Sequence, residues 1–358
     1  MRLAPRAIGI RRVAVPLLAV TAIAISAVPA AAGVPPRWAY GVVRDPTETE
    51  AAILPAKDRG NSTGGRVSAE KTEPGSVRVT FAGQGANGGT VLVTPLTTKP
   101  RACAVGGWSS DGLSTIASVE CSDRHGVPTD TPFIVSIRFL RAGDDQVAYL
   151  WANNPASAGY IPDAGRQMNG TDPFALNSIA QVETGVWDVT LPDLGAPGGT
   201  VQVSSYGGTP ARCGVVSWAE DGDDEQVRVR CRTLAGVPTN VRYTLLYGKG
   251  QGMAGPDQGK AAYLYAHRKK AASYTPTFRY TSEGGASTVT RQGKGRYRVT
   301  LPNMAKGGAA HVTPVGDGSV RCNVASIRRE TLPQRISVRC WNAAGKPADA
   351  RFTLSSLR

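Results

Sequence analysis

The six cysteines of this chain fall into three pairs with a single separation: Cys103 and Cys121, Cys213 and Cys231, Cys322 and Cys340, each 18 residues apart. Six cysteines allow 15 pairings, and three equal separations select the sequential one. A bridge that short leaves room only for two adjacent strands and a turn. It therefore staples a hairpin, whereas an immunoglobulin domain joins its two sheets with cysteines far apart in sequence. Each closed loop stabilises its unit by about 3 kcal/mol in the chain-entropy model. Zinc is the rival use of paired cysteines, but no pair has C-x-x-C spacing, so no structural metal is expected.

The cysteines are marks in a longer repeat. Fourteen residues before the first cysteine of each pair stands a Gly-Gly ending at Gly89, Gly199 and Gly308, leading into TVLVT, TVQVS and AAHVT. Further upstream lie the alternating strings SVRVTF, VWDVTL and RYRVTL. After the second cysteine come Gly126-Val127-Pro128, Gly236-Val237-Pro238 and Gly345-Lys346-Pro347, with Phe133, Tyr243 and Phe352 beyond. An Ala-Tyr pair at Tyr40, Tyr149 and Tyr263 opens each unit. The period inside a unit is two, in short strings rich in Val, Thr, Tyr and Ile separated by Gly, Pro, Asp and Asn, which is the pattern of strands with one buried face. In the third unit seven strands are legible: 262–266, 287–291, 296–301, 311–315, 321–327, 335–341 and 351–355. Seven strands in about 100 residues define an antiparallel sandwich. The fold class expected is all-β: three tandem immunoglobulin-like β-sandwich units in a row, over residues 38–145, 146–259 and 260–358. Composition permits this, since 41% hydrophobic and 19% charged residues are ordinary for globular chains despite 42 Gly and 25 Pro.

Residues 1–32 stand apart. Arg2, Arg6, Arg11 and Arg12 precede an apolar run from Val13 to Val28 that ends in small residues, the pattern of a secretory signal peptide cleaved after Ala30 or Ala32. The run is short for a membrane span, and no later segment can serve as one. A secreted, extracellular protein is expected, in a compartment that permits disulfides.

The opening motifs AYLWANNP and AYLYAHRK, the YIP and YTP links, the strand GRYRVTLPNM, the Gly-Gly turn and Cys-x17-Cys before Gly-x-Pro resemble a repeat of secreted actinobacterial proteins. The likeness covers nearly all of residues 38–358. It implies export and the repeat fold, and carries no activity.

A shared active site would leave one reactive residue at equivalent positions in all three units, and none recurs. His125, His267 and His311 each occur once, at positions held elsewhere by unrelated residues, and are expected at the surface. G-x-S-x-G, H-E-x-x-H and Walker loops are missing, so no catalytic residue and no cofactor is assigned. Asp130 and Asp349 recur two residues after the Gly-x-Pro proline, with Asn240 read as one alignment step away; a short acceptor there would bond turn amides before the final strand. The acidic run Glu220-Asp221-Gly222-Asp223-Asp224-Glu225 lacks calcium-loop spacing and reads as a solvated hairpin tip. Trp108 and Trp218, five residues after the first cysteine, read as fillers of the sandwich end; a sugar-stacking platform is the sharper alternative, but Ile327 at the third position could not stack.

Charge is where the units diverge. The formal net charge is +14, yet 38–145 carries 11 basic and 12 acidic residues, 146–259 carries 7 and 11, and 260–358 carries 18 and 4. Strand alternation puts Arg296 with Arg298, and Arg335 with Arg339, on outward faces. Arg268, Lys269 and Lys270 follow the opening strand, and Arg328 and Arg329 fall at a hairpin tip. These nine cations suit a polyanion: wall teichoic acid, acidic polysaccharide, nucleic acid or an anionic membrane surface. The resemblance to secreted actinobacterial repeats implies an anionic cell-wall polymer or acidic polysaccharide ahead of nucleic acid. The expected function is a non-catalytic binding or adhesion module acting through its third unit. A spacer or adhesin stalk without a ligand, and an enzyme with a site between units, are the alternatives. The basic third unit could also dock on the acidic second unit of its own chain.

Overall fold

The computed structural model describes residues 37–358 apart from 142, 145, 209, 252, 254–258, 305–306 and 329–331. Residues 1–32, where a signal peptide is expected, and Arg329 lie outside the described residues. The described residues, 37–358, form one compact unit.

The repeat is written three times in strands, nine to a copy. The first copy runs β1 (Arg37–Val43), β2 (Ala52–Ile53), β3 (Arg59–Asn61), β4 (Val67–Glu73), β5 (Ser76–Ala82), β6 (Thr90–Pro95), β7 (Ala102–Ser110), β8 (Ser114–Ser122) and β9 (Phe133–Phe139). The second runs β10 (Val147–Ala152), β11 (Gly159–Tyr160), β12 (Gln167–Asn169), β13 (Ser178–Glu183), β14 (Val186–Leu191), β15 (Thr200–Tyr206), β16 (Arg212–Asp221), β17 (Asp224–Arg232) and β18 (Arg242–Gly248). The third runs β19 (Ala261–Ala266), β20 (Ser273–Tyr274), β21 (Arg279–Thr281), β22 (Thr288–Gly293), β23 (Arg296–Leu301), β24 (Ala309–Val315), β25 (Arg321–Arg328), β26 (Gln334–Trp341) and β27 (Arg351–Leu357). The seven strands read from the third repeat are all present. The two that were missed, β20 and β21, are two and three residues long, too short to display a period.

Each copy is a two-sheet sandwich. In the first, β3-β1-β9-β6 makes one sheet and β2-β4-β5-β8-β7 the other, and the same order recurs in the second and third. Cys103 faces Cys121, Cys213 faces Cys231 and Cys322 faces Cys340 across neighbouring strands, so every disulfide staples a hairpin.

The sandwiches close on one another instead of standing in a row. Two residues after each first cysteine a bulge interrupts the hairpin register, and the carbonyl at that point turns outward. The Val105 carbonyl accepts from Gly207 N–H at 2.8 Å, that of Val215 from Gly316 at 2.8 Å, and that of Val324 from Thr97 at 2.9 Å. The first copy is thus joined to the second, the second to the third, and the third back to the first, by short parallel seams. A second cycle runs inside it. Val93 N–H donates to Ser204 Oγ at 3.0 Å, Val203 N–H to Thr313 Oγ1 at 3.0 Å, and Val312 N–H to Thr94 Oγ1 at 3.5 Å. The chain therefore has a pseudo-threefold axis, with β6, β15 and β24 gathered around it.

Ring closure corrects the expectation of one buried face per strand. β5 and β23 alternate as expected, because their outer faces meet water. β6, β9, β24 and β27 are buried along almost their whole length, since one face packs in its own sandwich and the other toward the axis. That second face, with the axis-facing side of β15, carries Thr94, Ser136, Gln202, Thr313, Thr353 and Ser355, buried polar groups bonded to one another, to His311 and to backbone across repeats.

Candidate polyanion-binding surface

The outer sheet of the third repeat, β20-β22-β23-β26-β25, turns one face inward through Val289, Tyr297, Val299, Ile336 and Val338. The other face carries the cations. Arg296 stands directly opposite Arg339, Arg298 opposite Ser337, and Arg335 opposite both Thr300 and Arg328. Side chains directly across an antiparallel pair lie about 5 Å apart at Cβ, and alternate residues along a strand about 7 Å apart. Five arginines thus form a continuous stripe over three strands. All are exposed or half-exposed, and no carboxylate among the described residues pairs with any of them. Like charges placed opposite one another destabilise a sheet, so the stripe is an arrangement that packing alone does not favour.

At one end the stripe opens into a groove of about 540 Å3 lined by Lys294, Arg296, Arg339, Lys346 and Pro347. Lys294 and Lys346 escaped the sequence reading. Lys346 had a visible signal, because it replaces Val127 and Val237 in the Gly-x-Pro motif. Arg268, Lys269 and Lys270 lie exposed in the loop between β19 and β20. The Tyr297 hydroxyl donates to the Lys269 carbonyl at 2.9 Å, and Arg291 N–H donates to the Ala272 carbonyl at 2.9 Å. These bonds hold the loop beside the same end of the sheet, at the margin of the stripe. Arg328 marks the opposite end.

The equivalent faces of the other repeats are neutralised from within. Arg78 pairs with Glu70 at 2.6 Å, and Arg228 donates to both oxygens of Asp188 at 2.6 and 2.7 Å. Nor does the third repeat use its stripe to dock on the second. That junction is made from the second repeat's side, by Arg212 to the Ser319 carbonyl at 3.1 Å, Arg230 to the Gly316 carbonyl and Arg232 to the Asp317 carbonyl at 3.4 Å.

The remaining candidates resolve into structural roles. Asp130, Asn240 and Asp349 accept from the N–H groups of Gly75, Gly185 and Gly295 at 2.8, 2.7 and 2.8 Å. Asn240 is therefore in step with the other two, and the turn each one holds is the Gly turn of a neighbouring hairpin. Partial burial pushes the Asp349 carboxyl up, but hydrogen bonds from Arg291 and Gly295 N–H outweigh it and hold the group below the usual carboxylate range. Trp108 meets Trp151 edge-on at 4.1 Å between ring centroids, and Trp218 meets Tyr265 at 4.8 Å, so both tryptophans belong to seams between repeats. At the third seam the corresponding position is Ile327, buried in a hydrophobic cluster that also contains Val42.

Two expectations are overturned. His311 is fully buried, not at the surface: it reaches from the third repeat to Thr94 Oγ1 at 3.1 Å and Ser136 Oγ at 2.9 Å in the first, and burial pushes its imidazole down to about 3. Glu225 closes the acidic run but is wholly buried rather than solvated. It accepts from the Tyr247 hydroxyl at 3.2 Å, and burial raises its carboxyl to about 7. Glu220, Asp221 and Asp223 are exposed at the β16–β17 tip. Among the described residues no three His, Cys, Asp or Glu side chains converge as metal ligands, and no helix is long and apolar enough to cross a membrane. Comparison of the chain with protein-family models, with curated proteins and with solved structures finds no match.

Proposed function

We propose that this is a secreted, non-catalytic protein whose third repeat binds an anionic polymer of the cell envelope, teichoic acid or an acidic polysaccharide. The observation that supports it is the stripe of Arg296, Arg298, Arg328, Arg335 and Arg339, held at fixed spacing on one sheet and paired with no carboxylate among the described residues. A polymer with regularly spaced phosphates or carboxylates would relieve the repulsion between facing arginines and release its own counter-ions on binding. Three disulfides suit an extracellular setting.

The test uses the full chain, because the third repeat shares its core with the other two. Binding to teichoic acid and to heparin should weaken steeply with salt. Replacing Arg296, Arg298 and Arg339 together by Ser should lower the slope of log affinity against log salt by about one per lost contact, a total of about three. A triple variant that binds as tightly, with an unchanged slope, overturns the reading.

A further inference from the structure

The residue just before each first cysteine is Ala102 in the first repeat but arginine in the others, Arg212 and Arg321. Ring closure brings these positions to the axis, around a cavity of about 60 Å3 whose wall is drawn from all three repeats. Arg101, one residue earlier in the first repeat, lines it as a third guanidinium. The three are not equally satisfied. Arg101 lies 4.0 Å from Asp123 and is partly exposed. Arg212 donates to the carbonyls of Ser319, Leu234 and Ala343, with Nε left over. Arg321 is 5% exposed, and none of its three side-chain nitrogens has a hydrogen-bond partner among the described residues.

A guanidinium carries five N–H donors and stays charged, so burying one with every donor unmet is among the most costly arrangements a core can hold. The other charges acting on Arg321 are mostly cations, Arg212, Arg124 and Arg101, with Asp123 the one carboxylate among the described residues. Asp123 is already engaged, accepting from the N–H groups of His125 and Val127 at 2.8 and 3.0 Å. Asn323, on the cavity wall, donates to the carbonyls of Lys99 and Arg101, both at 3.2 Å, and so fixes the segment that delivers Arg101.

We propose that this axial cavity binds one small oxyanion, a phosphate, sulfate or carboxylate, held by Arg321 with Arg212 and Arg101, and that the bound ion locks the three repeats together. The forked, planar donors of Arg321 match paired oxygens of such an ion. The cavity has room for a few waters or one ion of this kind, and none for a polymer chain. Burial, reinforced by the like charge of Arg212, lowers Arg321 to about 9, which agrees with a site awaiting negative charge. The site is separate from the outer stripe and shares none of its residues.

The test is thermal unfolding of the full chain in low-salt zwitterionic buffer with sodium phosphate, sulfate, acetate or chloride added. For the wild type the midpoint should rise with at least one oxyanion, logarithmically above Kd, by about 4 °C at a hundredfold excess over Kd. The order among phosphate, sulfate and acetate identifies the preferred form, and a rise with chloride alone overturns the oxyanion assignment. Arg321→Met, which removes the charge at similar volume, should weaken oxyanion affinity at least tenfold. Arg78→Ser, on the outer sheet of the first repeat and outside both sites, should leave it unchanged. An equal response in wild type and Arg321→Met overturns the proposal. If Arg321→Met does not fold, calorimetric titration of the wild type with sodium phosphate, sulfate and acetate decides: one site per chain for at least one of them upholds the proposal, and no saturable heat with any of them overturns it.

Discussion

Lowering the pH should open the ring at the seam between the third and first repeats, and His311 sets the size of the effect. In the folded chain the imidazole is neutral, fully buried, and bonded through both nitrogens to hydroxyls of the first repeat. Its folded pKa is about 3 against an ordinary value of 6.5. Below pH 6.5 the unfolded chain takes up a proton that the folded chain refuses, so the contribution is complete above 6.5 and is lost progressively toward pH 3. Between pH 7 and pH 4 the difference spans roughly 2.5 pH units at about 1.4 kcal/mol each, or about 3 kcal/mol. The informative variant is His311→Gln, since Gln202 already fills the same position in the second repeat and bonds Thr313, Thr353 and Ser355 there. Denaturant unfolding of both proteins at pH 7 and pH 4, disulfides intact, gives two stability differences. Any packing cost of the substitution is common to both and cancels. The wild type should lose about 3 kcal/mol more than the variant on acidification. Parallel losses would mean that His311 is solvated or already charged in the folded state, and would refute the buried seam.

Glu225 predicts the opposite slope in an overlapping range. Its folded carboxyl titrates near 7 against an ordinary 4.5, so its contribution is intact below 4.5 and declines as pH rises toward 7. Glu225→Gln, which copies Gln334 of the third repeat, should therefore match the wild type at pH 4 and exceed it by about 3 kcal/mol at pH 8 in denaturant unfolding; a constant difference at both values argues against the shift. At the first seam, a double-mutant cycle with Trp108→Ala and Trp151→Ala should show a coupling of about 1 kcal/mol, because the rings meet edge-on at 4.1 Å. Additive losses would place the two rings in separate environments.

The sandwich and its stapled hairpins were legible because they depend on local signals: period-two strings, glycine turns and one cysteine spacing. The outer arginines were legible for the same reason, since alternation along β23 and β26 decides which side chains meet water. The ring was hidden because its contacts join residues more than a hundred positions apart, such as Val93 with Ser204 and Val203 with Thr313. Its trace in the sequence is the polar content of strands that should face either oil or water. Gln202, Thr353 and Ser355 would face solvent in a single sandwich, and so would His311, whose occurrence in one repeat only gave no hint of a buried role. Arg212 and Arg321 were overlooked because an arginine beside a cysteine has no meaning until the axis puts the two together. Glu225 was hidden by its company, as the last of six residues of which four others are acidic.

The parallel seams also bear on how many copies such a chain can hold. A lone sandwich of this type would present β6 and β7 as open sheet margins, templates for pairing with any passing chain. Each seam covers one such margin with the neighbour's, and three copies are what allow the last to reach the first. A two-copy chain would leave margins bare at both ends, and a fourth copy would have no vacant neighbour to join. A single copy expressed alone would meet its own need only by gathering three to a cyclic assembly. Copy number here is thus a geometric quantity, fixed by the angle at which one sandwich meets the next, in contrast to open repeat arrays that lengthen one unit at a time.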